Sequence, residues 1–385
     1  MRLDDFRPDK ASGVLIRVPE ERVYAFIPNP LPPKDLEPSW DLMKLNSDAD
    51  RALSELSGLA QLLPNVHLLS GTFQRREAVL SSRIEGTYTT MQELFLFEAG
   101  GADEEVGDVR EVWNYVHALD HGLKSLERLP ICNRLIKEIH GKLMTGVRGG
   151  DKTPGEFRDR QNYIGARPST KIQDATYIPP PVKDMRRCMN DLENFINGHC
   201  QLPPLVREAL IHYQFEAIHP FHDGNGRIGR LLFSLGLCAE NIVQYPLLYL
   251  SEYIEKRKSE YYDLLFGISA ESAWLPWIEF FLRAIIEQSR DAKSRAYQLH
   301  DLMQEYRNRL VQMRAPASTL KVLERLFYIP AISSVQATRT IGGQSKTGLA
   351  AIRRLEEAGI LIEVPTNRQR NKLYLAEGIH KIATN

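Results

Sequence analysis

Twelve residues concentrate the chemistry of this sequence: His219-Pro-Phe-His-Asp-Gly-Asn-Gly-Arg-Ile-Gly-Arg230. An amphipathic helix precedes them, Pro220 stops it, and an apolar run from Leu231 to Leu237 follows. The span reads as a turn between two helices, with Gly224 and Gly226 just before the second. N–H groups at a helix start point outward, and glycine, having no Cβ, lets an anion come close. Arg227 and Arg230 lie three apart, on one face of that helix's first turn. The positive end of the helix dipole disfavours each by about 0.3–1 kcal/mol, and a bound anion reverses that sign. Phosphates are the expected occupants. Asp223 supplies an oxygen ligand for Mg²⁺, which one or two carboxylates and substrate phosphates usually hold. His219 supplies a base titrating near neutrality, placed to take a proton from an incoming hydroxyl.

Helices must hold these groups in place. Helical spacing begins near Asp41 and runs to Glu98, with Leu53, Leu56, Leu59, Leu62 and Leu63 in register. After a break at Ala99–Asp108 it resumes over Val109–Leu126, Asn133–Met144, Pro181–Ile196, Leu205–Ile218, Arg227–Glu240 and the segments from Ser259 to Leu310. Ahead of these stand a β-like run, Gly13–Val18, and a proline-rich stretch, Ile27–Pro33, expected to drape over the surface. Thr153–Pro180 reads as loops with a short hairpin around Ile172–Ile178. The expectation is an all-α protein: a helical bundle with a β-hairpin flap, then a different module over Ala315–Asn385. That module reads as helices from Ser318, near Ser334 and over Gln344–Ala358, then strands Ile360–Val364 and Lys372–Leu375. This is winged helix-turn-helix order. Three segments result: 1–108, with a helix at about 73–86, then 109–314 and 315–385.

Composition narrows the class. Lys+Arg and Asp+Glu are equal at 49 each, so overall charge points to neither nucleic acid nor membrane. Cys132, Cys188, Cys200 and Cys238 are scattered, which argues against a disulfide framework or zinc site and fits a reducing cytoplasm. Acids near the N-terminus and the lack of a long apolar run argue against secretion and membrane spanning.

The loop matches the Fic family motif, HPFx(D/N)GNGRxxR, at every specified position, and the sequence resembles that family. The resemblance implies a helical Fic-type bundle and transfer of AMP from ATP to Ser, Thr or Tyr hydroxyls of target proteins. It makes His219 the general base, Phe221 an apolar anchor and Asp223 the Mg²⁺ ligand. Asn225, with the amides of Gly224 and Gly226, would cradle the phosphates; Arg227 and Arg230 would orient the triphosphate. Kinase-like relatives carry lysine in place of the second glycine, so Gly226 favours attack at the α-phosphate. Thr153–Arg158 and Gln161–Gly165 resemble the lead into the family's target-docking flap, which would be Asp174–Pro181, pairing with an extended target strand. Gln214, Lys256 and Tyr261 are further candidates for nucleotide contact, although Tyr261 and Tyr262 equally suit core packing.

Ser81-Ser-Arg-Ile-Glu-Gly86 matches the family's inhibitory pattern (S/T)xxxE(G/N). Ser81 and Glu85 share a helix face, and Gly86 suits a helix end. The resemblance implies that Glu85 pairs with Arg230 and blocks the γ-phosphate position. In some relatives the same glutamate supports AMP removal, so a bifunctional enzyme stays open, as does a homodimer. Residues 315–385 hold ten Lys/Arg against five acids, a net of +5. Gln344, Ser345, Lys346 and Thr347 at a helix start, with Arg368 and Arg370 in the wing, suit DNA contacts. A nucleotide-sensing DNA-binding regulator is therefore the rival reading.

Overall fold

The computed structural model describes the chain except residues 1–2, 8, 35, 63–65, 102–106, 166–169, 366–371 and 385. The fold is mostly helical, with small antiparallel sheets. It divides into two compact units: residues 1–53, 117–244 and 250–287 form one, and residues 54–116, 245–249 and 288–385 the other.

The first unit opens with a hairpin of β1 (Gly13–Val18) and β2 (Val23–Pro28), in register from Gly13↔Pro28 to Val18↔Val23. Its apolar face packs Val18, Val23 and Ala25 against Ala175 and Ile178. Ile27 and Pro28 thus belong to a strand, and Ile27 is buried. Only the rest of the proline-rich stretch runs outside regular structure. Three long helices contribute residues to both units: α1 (Trp40–Leu62) and, later in the chain, those over 107–125 and 274–312.

The second unit continues with α2 (Val66–Ile84) and α3 (Met91–Leu96), then α4 (Gly107–Ser125). A capping box starts α3: Glu93 N–H donates to Thr90 Oγ1 at 3.1 Å and Thr90 N–H to Glu93 Oε2 at 2.7 Å. Back in the first unit, α5 (Asn133–Met144) buries Leu135, Ile136, Ile139, His140, Leu143 and Met144, one stripe at helical spacing. Then come α6 (Val182–Asn197), α7 (Pro204–Ile218) and α8 (Asn225–Ala239). Every α7 residue from Leu205 to Phe215 is buried, and α8 is buried from Arg227 to Leu237, so these two helices form the unit's centre. Pro204 suits the first helical position, where its missing N–H costs nothing. α9 (Ser251–Lys256), α10 (Lys258–Glu271) and α11 (Trp274–Gln312) follow.

The expected hairpin at Ile172–Ile178 does not form. Ile172–Asp174 makes one 3₁₀ turn, and a single bridge joins Ile164 to Tyr177.

The remainder of the second unit runs α12 (Ala317–Tyr328), β3 (Ala331–Ser333), α13 (Ser334–Ile341), α14 (Ser345–Glu357), β4 (Ile362–Val364), β5 (Leu373–Leu375) and α15 (Glu377–Thr384). The sheet order is β3-β5-β4, all antiparallel. β3 and α15 are additions to the order expected from sequence; Arg368 and Arg370 lie outside the described residues. This segment packs on α2: Thr72 Oγ1 donates to Phe327 O at 2.9 Å, and Arg76 Nη1 to Ala383 O and Thr384 O at 2.9 and 3.0 Å.

Candidate active site

α7 ends at Ile218, and His219 caps it in the left-handed region, φ 48° and ψ 61°, its N–H donating to Phe215 O at 3.0 Å. A non-glycine residue there is uncommon and costs on the order of 1 kcal/mol unless its surroundings enforce it. Here they do. The His219 carbonyl accepts from Arg158 Nε at 3.0 Å and from Asn162 Nδ2 at 3.3 Å, and Pro220 O accepts the Arg158 N–H at 2.9 Å. The Arg158 guanidinium also donates to Pro180 O and, at 3.4 Å, to Arg160 O. Burial brings its pKa down to about 10, so it remains a cation at neutral pH.

Phe221 is fully buried and stacks on His140, ring centroids 3.7 Å apart at 5°. His140 accepts the Gly155 N–H on Nδ1 at 2.9 Å, which puts its proton on Nε2 for the Asp223 carbonyl at 3.1 Å. Burial lowers its pKa to about 4, so this imidazole is a neutral strut. Asn225 closes the turn: its Oδ1 accepts from Phe221 N–H at 2.8 Å, and its Nδ2 donates to Phe221 O at 2.9 Å. Expected to cradle phosphate, the Asn225 side chain instead shapes the loop.

Gly224 is the N-cap of α8, with φ 77°, and offers no side-chain cap. An added Cβ would stand 3.0 Å from Met144 Sδ. Gly226 follows within the first turn of α8. The Asp223 carboxylate is half-buried, its Oδ1 accepting the Gly224 N–H at 2.7 Å. Lys152 Nζ lies 3.4 Å from Oδ2 and Arg227 Nη2 lies 3.7 Å from Oδ1. Arg227 and Arg230 are both only 3% exposed, so two guanidiniums sit buried in the first turns of a helix whose dipole disfavours them. A base, a carboxylate, two buried cations and an uncapped helix start therefore meet in one loop.

Residues 130–237 match the Fic/DOC family, and residues 43–124 match the Fic/DOC family N-terminal region. The chain carries both the Fic/DOC domain and that family's N-terminal region. It is 27% identical over 289 residues to "Protein adenylyltransferase Fic" of Drosophila melanogaster, covering 69% of this chain and 54% of that protein. The protein of the same name from Drosophila willistoni is 28% identical over 246 residues, 60% of this chain and 45% of the relative. The chain thus spans about half the length of the curated relatives it matches. A Fic family protein from Desulfovibrio desulfuricans G20 shares the fold with TM-score 0.56 at 19% identity, over 89% of this chain and 97% of that one. A Fic domain containing signaling protein from Bacteroides thetaiotaomicron gives 0.53 at 18% identity, over 67% and 97%.

The other candidates sit elsewhere in the Fic fold. Gln214 is buried, its Nε2 donating to Asn29 O at 3.0 Å. Lys256 pairs with Glu252 at 2.8 Å on the surface of α9. Tyr261 is core: its hydroxyl donates to His212 Nε2 at 2.8 Å, while His212 Nδ1 donates to Gly229 O at 3.2 Å. Burial, then the charge of Arg230, lowers the His212 pKa to about 3. Ser81 is fully buried on α2. Glu85 is not in the last turn but caps it, exposed, with Gly86 at φ 88°. Gly86 N–H donates to Arg83 O at 3.0 Å and Thr87 N–H to Ser82 O at 3.0 Å, a Schellman end.

The Tyr177 carbonyl accepts from Ile164 N–H and the Ile178 carbonyl from Phe26 N–H, at 2.8 and 2.9 Å. Pro179 O accepts from Gln161 at 2.9 Å, and Pro180 O from Arg158. The carbonyls of Tyr177–Pro180, part of the expected flap, are thus engaged inside the chain. Sequence reasoning placed Arg158 and Asn162 only in the lead to the flap, without their bonds to the loop, and missed His140 and Lys152. His140 left one signal, a polar side chain on the apolar stripe of α5.

Proposed function

We propose that this chain is a protein adenylyltransferase, moving AMP from ATP to a Ser, Thr or Tyr hydroxyl of a target protein. The observation that carries it is the α8 start, left without a side-chain cap and holding two buried arginines beside His219 and Asp223. A triphosphate suits such a helix start, where N–H groups and guanidiniums both favour an anion. The names of the relatives point to the same reaction. The acceptor oxygen attacks the α-phosphorus as its proton passes to the His219 imidazole. The bond from that phosphorus to the bridging oxygen breaks, and pyrophosphate leaves with the electron pair.

Magnesium fits through Asp223. Among the described residues no three His, Cys, Asp or Glu gather as a metal cage, which suits an ion held by one carboxylate, phosphates and water. When bound it would supply charge neutralisation to the phosphates.

Glu85, at the end of α2, is read as the brake on this activity. The test is labelling with α-labelled ATP and magnesium. Glu85→Gly should raise incorporation severalfold over the unmodified chain, and His219→Ala should abolish it in either background. Equal labelling with and without Glu85 would remove the brake, and labelling that survives His219→Ala would remove the base.

A second reading concerns residues 315–385, which we read as a winged helix, a reading that the order α12-β3-α13-α14-β4-β5 supports. α14 presents Ser345, Lys346, Thr347 and Arg353 to solvent, which suits phosphate and groove contacts. A gel shift with duplex DNA at two salt concentrations tests it: affinity should fall with salt. No shift at low salt would contradict it.

A further inference from the structure

The loop of residues 146–152 contributes to the same site. Gly149 has φ 81°, and a Cβ there would stand 2.7 Å from Asp223 Oδ2 and 3.1 Å from Met144 Cε. Only glycine allows this backbone so near the carboxylate. Two tight turns fix the loop, Gly150 N–H to Val147 O at 2.8 Å and Lys152 N–H to Gly149 O at 3.0 Å. The second delivers the Lys152 ammonium to 3.4 Å from Oδ2, on the side of the carboxylate away from Gly224 and Arg227.

We propose that Lys152 is an exchangeable counter-ion for Asp223, covering the carboxylate when no metal is bound and moving to the phosphates when one is. This rests on the nucleotide reading above and assigns a residue and a loop to it. The pair is half-exposed at both ends, 44% for Lys152 and 35% for Asp223, the setting in which an ion pair is weak and readily broken. A divalent ion on Oδ2 and an ammonium at the same atom repel each other, so one displaces the other. Lysine suits exchange better than arginine does: it is a point charge on a flexible stem, without a planar fork that locks onto a carboxylate. The released ammonium lies beside the very phosphates that the metal brings in. There it can neutralise charge accumulating on pyrophosphate as the bond to the α-phosphorus breaks.

The consequence is a defined coupling between metal and nucleotide. Without metal, Lys152 shields ATP from the Asp223 charge. Replaced by a neutral side chain, it leaves Oδ2 uncovered toward the triphosphate, while Oδ1 keeps the Gly224 N–H and Arg227. The measurement is the ATP dissociation constant by calorimetry, in EDTA and in magnesium, and the ratio of the two. Lys152→Met should raise that ratio by about fivefold or more, chiefly by weakening binding in EDTA, and Lys152→Arg should restore most of it. Asp223→Asn should bring the ratio close to one. A ratio for Lys152→Met within about twofold of the unmodified chain would overturn the proposal while leaving the nucleotide site standing. An unchanged ratio in Asp223→Asn would overturn it together with the metal assignment, and ATP binding to no form would overturn the nucleotide reading on which it rests.

Discussion

The carboxamide of Asn225 is wholly taken up by the backbone of Phe221, accepting its N–H at 2.8 Å and donating to its carbonyl at 2.9 Å. An aspartate has nearly the same shape but no N–H to give. Asn225→Asp should therefore leave the Phe221 carbonyl with the Asn162 amide at 2.9 Å in place of two donors, and add a charge at a site 2% exposed. The expected loss of stability is about 1–3 kcal/mol. Transfer activity should fall with it, because His219 and Asp223 lie on the same turn. Urea unfolding and label incorporation check the two effects. A variant as stable and as active as the unmodified chain would mean that the turn holds its shape without this clamp.

Arg158 holds His219 in its left-handed conformation by gripping the carbonyls of His219 and Pro180 from full burial. Lysine keeps the charge but loses the fork. Arg158→Lys should lower kcat by about tenfold to a hundredfold through misplacement of the imidazole. It should lower Tm as well, with ATP affinity little changed, since no phosphate-facing residue is altered. A loss confined to ATP affinity would contradict this positioning role.

Buried groups of the first unit set a pH window. Burial lowers His140 to about 4 and His212 to about 3, so between pH 6.5 and those values the unfolded chain binds more protons and stability falls as pH falls. Glu208 runs the other way. Burial raises it to about 8, so its stabilising contribution is complete below the unfolded value near 4.5 and is lost as pH rises toward 8. Stability should peak near pH 6.5. Glu208→Gln mimics the protonated form and should flatten the alkaline limb, raising Tm at pH 9 but hardly at pH 5. Parallel alkaline limbs for the two proteins would rule out Glu208 as the cause.

In the second unit Arg75 and Glu98 form a buried bidentate pair, with contacts of 2.6 and 2.8 Å. Burial alone would depress the arginine's pKa, but Glu98's charge and hydrogen bonds outweigh it and raise it. Gln336 Nε2 donates to the Glu98 carbonyl at 2.6 Å, and a Cβ on Gly71 would strike the Tyr328 ring, so the C-terminal segment closes over this pair. Glu98→Ala strands a buried cation and should cost about 3–5 kcal/mol. Removal of residues 315–385 should expose the apolar side of α2 and give an unstable chain. A deletion that melts cooperatively at an unchanged temperature would contradict that account.

Helices such as α5 were legible in sequence because burial repeats at 3.6 residues, whereas α7, expected to be amphipathic, is buried on every side from Leu205 to Phe215. Asn133–Met144 is bounded alike in both readings, since its apolar stripe runs from Leu135 to Met144. The short strands around α13 were partly missed: three residues such as Ala331–Ser333 carry no periodicity, and their pairing with Leu373–Leu375 is set by distant chain. The loop residues could be picked out together because His219, Asp223 and both arginines lie within twelve residues. Their supports could not. Arg158, Asn162 and Lys152 reach the loop from about 60 to 70 residues away, through backbone carbonyls and a carboxylate that leave no mark in spacing. Tyr261 and Asn225 show the converse: the right residue types, drawn into packing and bracing by neighbours that sequence does not reveal.

The most direct test of the central claim asks which phosphate travels. The Glu85→Gly chain is incubated with magnesium and ATP labelled at either the α or the γ position, with His219→Ala in the same background as control. Protein-bound label from the α position alone, lost in the His219→Ala control, is the result expected. Label arriving from the γ position, or α-label unaffected by loss of His219, would contradict adenylyl transfer at this loop.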